Sequence, residues 1–135
     1  MLGIKKQFIK SRIKLEVVSN APGKLQLFIA QIRKIDDEYK VYETYAKNAL
    51  LLLNGVENLQ IDYQKGIATI TYDTKLVDSQ KIFRWLQVLI DVGVDYYDVL
   101  KENWDKQPNV DESIKVNQIW EKMQPILKQA LANVQ

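Results

Sequence analysis

Asp91, Asp95 and Asp98 are the residues whose type and spacing come nearest to a chemical site. They stand at i, i+4 and i+7, so one continuous helix would carry the three carboxylates on one face. Oxygen ligands so placed suit a hard cation such as Mg²⁺, Mn²⁺ or Fe²⁺, held weakly. Gly93 interrupts the run, and no imidazole is present to complete a usual iron site. The ordinary alternative is a solvated helix face. A second acidic cluster, Asp36-Asp37-Glu38, reads as a helix start, because Asp favours the N-cap and acids favour a first turn. Asp62 and Asp73 could in principle share acid–base work. Their places at the two ends of an alternating hairpin pattern explain them more simply.

The composition removes most other chemistry. The 135 residues contain 0 Cys and 0 His. That excludes disulfides, thiolate nucleophiles, iron–sulfur clusters and thiolate sites for zinc or copper(I). No histidine base and no glycine-rich phosphate loop are present, so no catalytic residue and no cofactor are expected. Nineteen basic residues against 17 acidic leave a net charge of +2, too little for a nucleic-acid binder. Tyr39, Tyr42, Tyr45, Tyr96, Tyr97, Trp85 and Trp104 are accordingly read as core or interface residues rather than base-stacking platforms. Lys5, Lys6, Lys10, Arg12 and Lys14 precede the first acid. They suggest a solvated basic arm, with contact to anionic lipid as an alternative. No apolar run approaches the roughly 18 residues of a membrane span, and no signal-peptide core is visible. A cytoplasmic protein is the default expectation.

The elements that must position these residues follow from periodicity. Ile13, Leu15 and Val17 alternate with Arg12, Lys14 and Glu16, as in a half-buried first strand. Asn20-Ala21-Pro22-Gly23 is a turn. Leu25, Phe28, Ile32, Ile35, Tyr39, Tyr42, Ala46, Ala49 and Leu53 then follow in steps of three and four, predicting an elongated first helix. As one rod it would run about 45 Å, so a break near residues 33–37 is expected. Residues 24–34 also suit a strand, with Leu25, Leu27 and Ile29 on one face. Asn54-Gly55 ends the helix. Residues 58–63 and 67–72 alternate on either side of Gln64-Lys65-Gly66 and predict an antiparallel hairpin. Asp78 or Ser79 caps a helix whose inner stripe is Ile82, Phe83, Leu86, Leu89 and Ile90, and Gly93 ends or kinks it. Residues 94–100 suit a fourth strand or more helix. Asp111 opens a last amphipathic helix with Val116, Trp120, Met123, Leu127, Ala130 and Val134 on its seam, and with Pro125 inside it.

Gly55-Val56, the hairpin, Tyr72-Asp73 and the helix after it together resemble the heavy-metal-associated (HMA) domain family, in its Cys-free second type. The resemblance covers residues 12–18 and 48–93. It implies a ferredoxin-like βαββαβ sandwich, here α+β with an antiparallel sheet, an elongated first helix and an extra C-terminal helix. Residues 1–106 would form that domain with its basic arm. Residues 107–135 would pack on it or on a partner. Classical members carry paired cysteines after the first strand, where this chain has Ser19-Asn20-Ala21-Pro22-Gly23. The resemblance therefore implies an accessory to metal transport or storage that acts through a protein partner, such as a metal-transporting P-type ATPase. Two other uses remain open: weak hard-metal binding at Asp91, Asp95 and Asp98, and a membrane-peripheral adaptor. The helical seams also suggest a homo-oligomer.

Overall fold

A computed structural model describes residues 13–96, 98–99, 101–102 and 109–134. Strands β1 (Glu16–Ala21) and β2 (Lys24–Phe28) form a first hairpin. Two 3-10 segments, Ala30–Lys34 and Asp37–Tyr42, lead into helix α1 (Glu43–Leu51). A second hairpin, β3 (Val56–Asp62) and β4 (Ile67–Tyr72), is followed by α2 (Ser79–Asp95) and α3 (Glu112–Ala132). The four strands among the described residues are antiparallel in the order β1-β2-β4-β3.

The protein is α+β as expected, but its element order is not βαββαβ. β2, α1 and β3 make a split unit with β4 paired between the two strands. The edge place beside β2 is taken by β1, from the N-terminal side of the chain. The described residues between 94 and 100 do not supply a fourth strand. Residues 94 and 95 complete α2, and 98, 99, 101 and 102 are helical as well.

The elongated first helix is also absent. Only Glu43–Leu51 is α-helical, and the heptad spacing that begins at Leu25 runs through a strand and two 3-10 turns. The reason lies in pairing. β2 bonds to β1 on one side and β4 on the other, with Leu25 opposite Ile70 and Leu27 opposite Ala68. That ladder satisfies the backbone and buries both leucines, at 1% and 0% exposure, which outweighs helical propensity. The expected break falls at Ile35 and Asp36, between the two 3-10 segments.

One face of the sheet is the core. Leu25, Leu27, Ala68, Ile70 and Tyr72 alternate inward and meet Leu50, Leu53, Ile82 and Trp85 from the helices. The opposite face carries Gln26 and Thr69 side by side, with Gln26 Nε2 donating to Thr69 Oγ1 at 3.1 Å. β1 behaves differently from the expected half-buried strand. A bulge between Val17 and Ser19 breaks its alternation. Val17 and Val18 are 54% and 56% exposed, and residues 11 and 12 lie outside the described residues.

The two long helices begin where the sequence places them. The Asp78 carboxylate accepts from Lys81 N at 2.7 Å, and that of Asp111 from Ser113 N at 2.8 Å. The Ser113 contacts hold the Asp111 carboxyl below its usual range. Gly93 neither ends nor interrupts α2. Pro125 sits within α3, which continues past it. Pro125 and Glu121 are both exposed, so the Glu121 carbonyl that the proline cannot serve is on the wet side. The α3 seam is used within the chain: Val116, Met123, Leu127 and Leu131 are buried, and α3 packs on α1, α2 and the second 3-10 segment.

Candidate functional site

The inner face of the sheet and the helices do not close completely on each other. Between them lies a half-open cavity of about 350 Å³. Its floor is Leu27, Ala68 and Ile70 on the strands and Ala49 and Leu50 on α1, all buried. Its rim includes the half-buried Ile13, Leu15 and Ile90 and the exposed Ile35. Ala46, Ala49 and Ala68 are the small residues of its lining.

The polar part of the lining is small and organised. Glu43 opens α1, where the helix dipole favours an acid. Its Oε1 accepts from the Tyr63 hydroxyl at 2.9 Å, joining α1 to the end of β3. Lys40 stands over the Tyr63 ring, 4.7 Å from its centroid, and pairs with Asp37 at 2.6 Å. The hydrogen bond and charge of Lys40 lower the Asp37 carboxyl. Tyr45 lines the same cavity and meets Trp120 of α3 edge to face, with centroids 5.8 Å apart. Burial pushes the Tyr45 hydroxyl up to about 12. Burial, together with the hydrogen bond to Glu43 and its charge, does the same at Tyr63.

These two hydroxyls give the fold an alkaline limit. An unfolded tyrosine ionises near its ordinary value of about 10, whereas both here hold their protons to about 12. The stability they contribute is therefore complete below pH 10 and is lost as pH rises from about 10 towards 12. Melting temperature should fall through that window, and the fall should be shallower in a Tyr45→Phe, Tyr63→Phe double variant. An unchanged slope would show that neither hydroxyl is coupled to folding.

The acidic residues singled out by spacing lie elsewhere. Asp91 and Asp95 are exposed on α2, and Asp98 is exposed just beyond it. Each is engaged in some interaction. Among the described residues no group of three or more Asp or Glu is placed to hold a metal ion. Asp62 and Asp73 sit at opposite ends of the second hairpin. Each caps a turn, Asp62 accepting from Gln64 N and Lys65 N and Asp73 from Lys75 N. Ser19, Asn20 and Ala21 are not a loop but the end of β1, paired with Gln26, Leu25 and Lys24. The Glu38, Tyr39, Tyr97 and Trp104 side chains and the basic run from Lys5 to Arg12 lie outside the described residues. The Glu43–Tyr63 pair has no signature in the sequence, since its members are 20 residues apart. The alanines on the first helical seam were the available signal.

No protein-family model matches the chain, and no curated protein or solved structure matches it. No described helix is long and apolar enough to cross a membrane.

Proposed function

We propose that this chain is a non-enzymatic interaction domain of HMA-like character, an accessory to metal transport or storage that works by docking to a protein. The observation that carries the reading is the exposed edge strand β1. Val17 and Val18 are among the most exposed large apolar residues of the described chain. They lie on a strand whose outer side has no neighbour in the sheet among the described residues. Such an edge is a template for pairing with a strand of another molecule. The split β2–α1–β3 unit, with Gly55-Val56 leading into β3, supports the family character. Self-association, which the helical seams suggested, has this edge as its more accessible route, because the α3 seam is spent on the core.

The test is calorimetric titration of the full chain with the soluble domain of a metal-transporting P-type ATPase. Parallel titrations use Cu(I), Zn²⁺, Fe²⁺ and Mn²⁺. Saturable binding of the protein is expected, weakened tenfold or more by Val17→Lys with Val18→Lys. Both positions are solvent-exposed, so the substitutions leave the fold intact. Saturable heat with a metal and none with the protein would replace the docking reading by direct metal carriage.

A further inference from the structure

We infer that the cavity between the sheet and the helices is a binding site for a lipophilic cation, an organic ammonium compound carrying one alkyl or aryl body. The inference uses residues other than Val17 and Val18 and does not depend on the docking reading.

Size sets the first constraint. A space of about 350 Å³ holds about a dozen water-sized volumes. A methylene fills much the same space as a water, so one medium-length chain or two aromatic rings would occupy it. A peptide helix would not fit.

The lining sets the second. Among the described residues Glu43 is the one charged residue on the cavity wall, and the other polar side chains there are Tyr42, Tyr45 and Tyr63. One carboxylate among aromatic faces is the arrangement that recognises an organic cation. The ring quadrupoles and the carboxylate both attract positive charge, and the hydrocarbon floor takes the apolar body. A carboxylate ligand would instead meet Glu43 with like charge. A purely hydrocarbon ligand would leave the Glu43 charge against an apolar surface, which is unfavourable.

The geometry leaves Glu43 able to act. One of its oxygens accepts from Tyr63, and an ionised carboxylate has about four acceptor sites over its two oxygens. Lys40 rests over the Tyr63 ring but is not among the residues that line the cavity. The Lys40 charge is balanced by Asp37 and does not cancel Glu43.

The test compares three ligands with one tail: decyltrimethylammonium, decanoate and 1-decanol, each below its micelle concentration. Each is titrated into the full chain by calorimetry. The ammonium compound should saturate a single site at least tenfold more tightly than decanoate, with 1-decanol between them. Glu43→Gln keeps an acceptor for Tyr63 but loses the charge. It should bring the ammonium affinity down to that of 1-decanol and leave 1-decanol unchanged. Ala46→Phe should fill the space and abolish binding of all three. If that variant does not fold, the Glu43→Gln arm decides alone. Decanoate binding as tightly as the ammonium, indifference to Glu43→Gln, retention of binding by a folded Ala46→Phe, or saturation by none of the three would each overturn the inference.

Discussion

Trp85→Ala is expected to destabilise the chain by about 3–5 kcal/mol, a large fraction of the roughly 5–15 kcal/mol that holds a domain folded. Trp85 is 0% exposed and stands on the inner face of α2. Its removal opens a void between α2 and α1, which the indole bridges. The indole also has a specific partner. Nε1 donates to the Ala49 carbonyl at 3.0 Å. Ala49 lies in the last turn of α1, where carbonyls run short of helical donors. Leu52 N reaches the same oxygen at 3.3 Å, so the carbonyl is not orphaned when the indole goes. Trp85→Phe therefore separates the two contributions. It keeps most of the volume and removes the donor, and should cost about 1–2 kcal/mol. Urea melts of both variants check this. An alanine variant within about 1 kcal/mol of the parent would mean that Trp85 does not join α2 to α1.

The same residue marks a limit of the sequence reading: the stripe of Ile82, Phe83, Leu86, Leu89 and Ile90 omits Trp85, which with Ile82 is what α2 buries. The stripe of α2 is visible as apolar spacing, and its start at Asp78 follows from capping chemistry. The β3–β4 hairpin is visible because a period of two and Gly66 agree. Residues 25–42 are different. Leu25, Phe28, Ile32, Ile35, Tyr39 and Tyr42 fit a heptad, while Leu25 and Leu27 fit a strand. What decides between them is a partner more than forty residues away: Ile70 and Ala68 of β4. Local periodicity carries no information about that partner. The candidate sites divide in the same way. Asp91, Asp95 and Asp98 are prominent because they are close in sequence. Glu43 and Tyr63 meet only because α1 and β3 are neighbours in space.

Gly55→Ala should cost about 2–6 kcal/mol, and its cause bears on how the family resemblance is understood. Gly55 has φ of +102°, a conformation that L side chains rarely adopt. Backbone strain of that kind is worth about 1–3 kcal/mol. A Cβ at this position would lie 2.7 Å from Val77 Cγ1 and 2.9 Å from Leu76 Cβ. Neither is the free end of a flexible chain, and Val77 belongs to the core, so crowding adds about 1–3 kcal/mol. The Gly55 carbonyl also accepts from Asp73 N at 2.8 Å, tying the entry of β3 to the exit of β4. Gly93→Ala is the internal control. Nothing lies within 4 Å of a Cβ there, and the site is helical, so the same substitution should stabilise by up to about 1 kcal/mol. The opposite signs, read from paired melts, would show that Gly55-Val56 is a steric requirement of the close approach between the β3 entry and the segment after β4. A pair explained in that way speaks for how the chain folds and is silent about metal. If Gly55→Ala were as harmless as Gly93→Ala, that steric account would fail, and the pair would need a functional explanation instead.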